Sequence, residues 1–336
     1  MKPDHIIIIA EAGVNHNGDF ATAKAMIEAA KRAGADYVKF QTAVPELVIS
    51  TIAPKAAYQE ETTGTGQSQL EMCKAIHLPL SAYAPLADEC ARQGIGFMST
   101  PFDLVSIDTL AELKMDYWKI PSGEITNLPY LRKIASKGGR VILSTGMSTL
   151  AEVDSAVEVL ELGGIPRRDI ILLHCTTQYP TPMADVNLRA MDALATLNCG
   201  GVGYSDHTVG IEVPVAAAAR GAAVIEKHFT LDKTMPGPDH RASLEPDELA
   251  QMVASIRNIE KALGSGNKVV AESEAANIEV ARKSIVAARR ISKGEILTEE
   301  NITVKRPGNG ISPMLWDNVI GTPAIRDFEY DSLIEI

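Results

Sequence analysis

Eight times along the chain, a short apolar run rich in β-formers ends in polar residues and is followed by a stretch with helical spacing. The runs are 5-HIIIIAE-11, 37-YVKFQT-42, 96-GFMSTPF-102, 117-YWKIPSG-123, 140-RVILSTG-146, 169-DIILLHCT-176, 202-VGYSDHT-208 and 224-VIEKHFT-230. Ala23, Met26, Ile27 and Ala30 stand on one helical face, and Gly34 stops that helix. After the eighth run, Leu249, Met252, Val253, Ile256 and Leu263 predict a further amphipathic helix ended by Gly264. Near-continuous apolar strands alternating with helices predict a parallel sheet buried on both faces. Eight such units predict an α/β fold, a (β/α)8 TIM barrel. Residues 43 to 80, with Thr62-Thr63-Gly64-Thr65-Gly66, read as an extended βα loop able to cover a site.

The chain continues past the eighth unit. Gly264-Ser265-Gly266-Asn267 opens a polar linker, and beyond it short β runs, Ser284 to Ala288 and Ile302 to Lys305, alternate with turn signals at Lys293-Gly294, Pro307-Gly308 and Asn309-Gly310. The expected organisation is a barrel over 1–264, a linker over 265–282 and a small, mainly β module over 283–336. A net charge of −11 argues against nucleic acid or an anionic membrane as partner, since both demand basic patches. The cysteines Cys73, Cys90, Cys175 and Cys199 show neither CxxC spacing nor disulfide density, and scattered thiols suit a reducing compartment. The run Ile6 to Ile9 is too short for a signal peptide, and no stretch approaches the ~18 apolar residues of a membrane helix. A cytoplasmic location is expected.

Barrel enzymes build their sites at the C-terminal ends of the strands. Here those ends carry Glu11, Lys39 and Gln41, Ser99 and Thr100, Lys119 and Ser122, Ser144, His174, Ser205 and His207, and Glu226 and His228. Strand side chains alternate with period two, so Lys39 shares a face with Gln41, Ser205 with His207, and Glu226 with His228. Ionisable groups inside a barrel are costly without partners, which favours a site over a layer of satisfied polar core residues. His207 and His228, at matching heights on neighbouring strands, suit two neutral imidazoles holding a divalent ion with positions open for substrate oxygen and water. Glu226 and Asp239 are acidic candidates for holding water or moving a proton. Lys39 and Lys119, near the hydroxyls of Thr100, Ser122, Ser144 and Ser205, suit an anion bearing phosphate and carboxylate. The competing expectation is that both lysines pair with Glu11 or Glu124. A barrel lysine can also form a Schiff base with a keto acid. Neither a P-loop nor a Rossmann glycine motif occurs, so nucleotide binding has no support.

With these residues in view, the chain resembles the sialic acid synthase family almost from end to end. The motifs that carry the resemblance are 10-AEAGVNHNGD-19, 38-VKFQT-42, 98-MSTPFD-103, 118-WKIPSGE-124, 143-LSTGMS-148, 173-LHCTTQYPTP-182, 203-GYSDHT-208, 226-EKHFTLD-232, 236-PGPDH-240 and 305-KRPGNGI-311. The resemblance implies a TIM barrel followed by an antifreeze-like (SAF, β-clip) module. It also implies a domain-swapped homodimer in which the module's arginine, Arg306, enters the partner's active site. His207 and His228 would hold a divalent metal, usually manganese, with magnesium or cobalt as alternatives. Lys39, Thr100, Lys119, Ser122, Ser144 and Ser205 would cradle phosphoenolpyruvate. Gln41, Tyr179, Asp239 and Arg306 would contact an acyclic amino sugar, and Glu11 would handle protons or water.

The implied reaction joins C3 of phosphoenolpyruvate to the sugar aldehyde, adds water at C2 and expels phosphate by C–O cleavage. Synthases for N-acetylneuraminate, which use N-acetylmannosamine, typically read His-Cys-Thr-Asn in the sixth strand. This chain reads His174-Cys175-Thr176-Thr177, like the legionaminic acid synthases. Thr177 therefore points to a 2,4-diacetamido-2,4,6-trideoxymannose acceptor. Three alternatives remain: an N-acetylneuraminate synthase using N-acetylmannosamine, a Schiff-base aldolase working through Lys39 or Lys119, and a sugar- or ice-binding protein with an inert barrel.

Overall fold

A computed structural model describes residues 5–55, 59–60, 64 and 66–336. It contains two compact units, Met1–Gly264 and Ser265–Ile336. Thr62, Thr63 and Thr65 of the expected loop lie outside the described residues.

The eight apolar runs of the first unit form β1 (Ile7–Gly13), β2 (Tyr37–Thr42), β3 (Gly96–Pro101), β4 (Tyr117–Ile120), β5 (Arg140–Ser144), β6 (Ile170–His174), β7 (Gly201–Asp206) and β8 (Val224–His228). Their ladder order is β3-β2-β1-β8-β7-β6-β5-β4, every pairing is parallel, and β3 and β4 lie against each other without a ladder, so the barrel is nearly closed. Residues on the outer faces, such as Ile8, Val38, Phe40, Leu143, Leu172 and Ile225, pack against the helices in one continuous core. Those facing inward form a second, smaller cluster of Ile9, Met98, Tyr117, Ile142, Leu173 and Val224. Both faces are buried, and each fully buried large apolar side chain contributes roughly 1.5–3 kcal/mol. The continuous hydrophobicity of the runs follows from this double burial.

The helix Phe20–Ala33 shows why the local pattern folds as read. Asp19 accepts from the Thr22 amide at its start, Met26 and Ile27 are buried, and Gly34 closes it at φ 85°. It packs on the helix Pro246–Leu263 that follows β8, so the helical layer continues from the last unit to the first. The connection after β2 is partly structured: it holds the helices Pro45–Val48 and Gln69–Ile76, and Ser68 and Glu71 cap the second reciprocally. Between β7 and β8 the backbones press close. A Cβ on Gly203 would lie 2.3 Å from the Val224 carbonyl oxygen, so only glycine fits there.

The second unit has its own core of Ile285, Ile291, Leu297, Ile302, Val319 and Phe328. Its antiparallel pair, β9 (Ser284–Ala287) and β10 (Ile302–Lys305), joins Ile302 to Ala287 in register. The stretch read as a linker carries the short helices Glu272–Ala275 and Asn277–Ala281, more order than its polar composition suggests. Among the described residues no helix is long and apolar enough to cross a membrane.

Candidate active site

Inside the barrel, six of the eight strands follow an inward apolar residue with an inward polar one two positions later. Ile9 is followed by Glu11, Tyr37 by Lys39 and Gln41, Met98 by Thr100, Tyr117 by Lys119, Ile142 by Ser144, and Val224 by Glu226 and His228. Register sets the polar ones side by side. Glu11 is level with His228 on one flank and Lys39 on the other, Gln41 with Thr100, and Ser205 with Glu226. Two residues further on, the same β7–β8 register brings His207 beside His228, with ring centroids 5.5 Å apart. A single cavity of about 280 Å3 is lined by Glu11, Lys39, Gln41, Thr100, Lys119, Ser122, Ser144, Thr177, Tyr179, Ser205, His207, Glu226, His228 and Asp239. Every barrel residue assigned a role in the reaction or in substrate binding is thus at one rim.

Arg306 lies in the second unit, exposed, with its Nε donating to the Ala281 carbonyl at 3.2 Å. Two of the polar strand ends of the barrel face away from the cavity. Ser99 turns outward to the Thr42 hydroxyl at 2.7 Å, and His174 places Nε2 2.8 Å from the Val186 carbonyl. Both have the opposite parity to their inward neighbours Thr100 and Cys175.

The floor of the cavity is ionic. Lys39 Nζ lies 2.8 Å from Glu11 Oε2 and 3.8 Å from Glu226 Oε2, and donates to Thr100 Oγ1 at 3.1 Å. Lys119 Nζ donates to Ser144 Oγ at 2.9 Å and stands 3.6 Å from Glu226 Oε1, which also accepts from Ser205 Oγ at 2.9 Å. The expectation that both lysines pair with Glu11 or Glu124 therefore holds only for Lys39 with Glu11, and Lys119 faces Glu226. Glu124 instead accepts from Asn127 at 2.6 Å.

Burial would lower the Lys39 ammonium's pKa, but Glu11 and Glu226 more than reverse that and hold it charged. Burial would raise Glu226, yet Lys119 and Lys39 bring it down to about 2. Glu11 is raised, because burial and the Glu226 charge outweigh its lysine. Lys119 is lowered by burial. Asp239 has been pushed up to about 7 by burial and then by Glu11. Two ammonium groups thus face the firmly ionised Glu226, beside Glu11 and Asp239, both shifted upward. Such a floor attracts an anion.

The upper rim is aromatic. The Tyr179 ring is 4.1 Å from the His207 ring and 5.6 Å from that of His228. His207 Nδ1 is 2.6 Å from the Thr176 carbonyl, which can only accept, so Nδ1 carries the proton and Nε2 keeps its lone pair. Burial lowers His207 to about 4 and takes His228 well below its ordinary value, so both rings are neutral at pH 7. His228 Nδ1 is buried with no hydrogen-bond partner among the described residues. Two neutral imidazoles, one oriented through a carbonyl and one with an unpartnered nitrogen, fit a divalent ion. Among the described residues no three His, Cys, Asp or Glu side chains converge as a complete ligand set. Substrate oxygen and water would have to supply the rest.

Sequence reading missed the support beneath the imidazoles. Asp206 and Lys227 point to the outer face of β7 and β8, fully buried, with Lys227 Nζ 2.5 Å from Asp206 Oδ2 and also bonded to the Thr208 carbonyl. The Asp206 carboxylate accepts from the Thr208 amide at 3.1 Å and its hydroxyl at 3.0 Å. This clamp ties together the strand ends that carry His207 and His228. Its signal was available, since an outward lysine in a doubly buried strand demands a partner on its neighbour.

Residues 26–268 match the NeuB family, and residues 282–335 match the SAF domain. The chain is 53% identical over 328 residues to the N,N'-diacetyllegionaminic acid synthase of Campylobacter jejuni, covering 98% of each. It is 46% identical to the enzyme of the same name from Legionella pneumophila, over 94% of this chain and 89% of that one. A solved N-acetylneuraminic acid (sialic acid) synthetase from Leptospira borgpetersenii superposes with a TM-score of 0.71 at 36% identity, covering 82% of this chain and 91% of the other.

Proposed function

Because the chain belongs to the NeuB family, we propose that it condenses phosphoenolpyruvate with 2,4-diacetamido-2,4,6-trideoxymannose to give N,N'-diacetyllegionaminate and phosphate. The observation that carries this reading is one cavity joining two buried ammonium groups to a pair of neutral imidazoles. The acceptor follows from the relatives named for that product and from Thr177 at the rim.

Lys39 and Lys119 bind the phosphate and carboxylate of phosphoenolpyruvate, and the hydroxyls of Thr100, Ser122, Ser144 and Ser205 complete the cradle. Gln41, Thr177 and Tyr179 position the open-chain sugar so that its aldehyde carbon meets C3 of the enol. When bound at His207 and His228, a divalent ion, manganese in this proposal and magnesium or cobalt otherwise, supplies positive charge for the aldehyde oxygen. The C3–C1 bond forms as the carbonyl opens, and Asp239 gives its proton to the new hydroxyl oxygen. Water adds at C2, Glu11 takes its proton, and Glu226 stabilises positive charge developing at that carbon. The C2–O bond to phosphate then breaks, the C2 hydroxyl becomes the keto group, and its proton leaves with phosphate. Arg306 serves the acceptor in a swapped homodimer, a role supported by the family resemblance. The four free thiols suit a cytoplasmic setting.

One observation favours a second reading: burial lowers Lys119 toward the neutral amine that a Schiff base needs. Borohydride in the presence of pyruvate separates the two. Covalent trapping with no phosphate release supports the aldolase. Phosphate release that EDTA abolishes, with no trapped adduct, supports the synthase.

A further inference from the structure

Beside the main cavity lies a smaller pocket of about 190 Å3, and the two share Gln41, Cys73, His77 and Phe102 as common wall. Its remaining lining is apolar except for Gln69: Ala43, Pro45, Val48 and Ile49. The walls are fixed from several sides. The Val44 amide donates to Asp103 at 2.8 Å, the Phe102 amide to the Thr42 carbonyl at 2.9 Å, and His77 Nδ1 lies 2.9 Å from the Cys73 carbonyl. Gln41 stands at the junction, its Nε2 donating to Glu11 at 3.0 Å. Running outward from the reacting centre, one passes the lysines, Glu11, Gln41 and then this pocket.

We propose that the side pocket is the specificity pocket for the acetamido group at C4 of the acceptor. This rests on the acceptor assignment made above. An acetamide has an apolar methyl tip and a polar amide stem. Ala43, Pro45, Val48 and Ile49 suit the tip, while Gln41 and His77, shared by both cavities, offer polar groups to the stem. A hydroxyl at C4 would not reach this space and would leave its apolar end unfilled. The segment that builds the wall is the connection after β2, which departs from the strand end carrying Gln41. Acceptor choice and reaction chemistry thus sit on different stretches of chain.

The test compares kcat/KM for the diacetamido sugar with that for the analogue bearing a C4 hydroxyl in place of the acetamide. Val48 is 39% exposed, so Val48→Asp is compatible with the fold, and Ile49→Ser is the second variant. A fall of about tenfold in the ratio of the two kcat/KM values, in either folded variant, is expected from losing an apolar pocket wall. Loss of kcat/KM on both sugars alike, with the ratio unchanged, would mean a structural role and overturns the proposal. Wild-type protein that releases no phosphate from phosphoenolpyruvate with either sugar overturns the acceptor assignment and this inference together. Turnover by the wild type with an unmoved ratio in the variants sinks the pocket alone.

Discussion

Replacing Asp239 by Asn should make the protein more stable and far less active. The Asp239 carboxyl is buried, and burial followed by the Glu11 charge raises it from 3.8 to about 7. A folded value above the unfolded one means that stability is complete below about 3.8 and is lost progressively as pH rises to about 7. Above that, the folded state carries the whole cost of an ionised buried carboxylate. The gap between the two values corresponds to roughly 4 kcal/mol as an upper bound. Between pH 5.5 and 8.5 the part still to be lost is about 2 kcal/mol, and water in the cavity reduces it to about 1–2 kcal/mol. Asn removes the charge and keeps the shape. Urea unfolding at these two pH values should therefore show Asp239→Asn more stable than wild type, with the advantage growing by about 1–2 kcal/mol toward pH 8.5. Condensation should fall by about a hundredfold or more through loss of the proton donor. An advantage that stays flat with pH, or a variant less stable than wild type at pH 8.5, would refute the reasoning.

Other consequences follow from the same geometry. His207→Ala and Lys119→Ala should each abolish phosphate release to below about one hundredth of wild type while circular dichroism stays unchanged; an active variant would support the inert-barrel rival. Lys227→Met leaves Asp206 charged and unpaired in the apolar layer, so unfolding free energy should drop by about 3–5 kcal/mol, measured by denaturant titration. Mixing Arg306→Ala chains with Lys119→Ala chains should restore part of the activity through mixed dimers, and no recovery despite proven subunit exchange would count against the swapped arrangement.

Most of the barrel was legible because a strand buried on both faces must be apolar throughout, so its ends stand out where polar residues begin. Ile9 to Glu11 and Tyr37 to Lys39 follow period two, and that parity alone puts carboxylate and ammonium inside. Ser99 and His174 were grouped with the site by position at the strand end, although parity turns them outward. Asp206 and Lys227 have the same outward parity and form the clamp under the imidazoles. The side pocket was not legible. Its wall comes from a loop whose residues, Ala43 to Ile49, carry no periodicity, and only the folded connection brings them beside Gln41. Arg306 had no signal of its own in composition or spacing, and the role proposed for it rests on family resemblance.

The central claim is that the cavity breaks the C2–O bond of phosphoenolpyruvate after joining C3 to the sugar aldehyde. Phosphoenolpyruvate carrying oxygen-18 in the bridging position, incubated with the diacetamido sugar and manganese, tests it directly by mass spectrometry of both products. The account predicts that the heavy atom departs entirely with phosphate, while the new nonulosonic acid gains its C2 oxygen from water. Heavy oxygen retained in the sugar acid, with phosphate unlabelled, would contradict it.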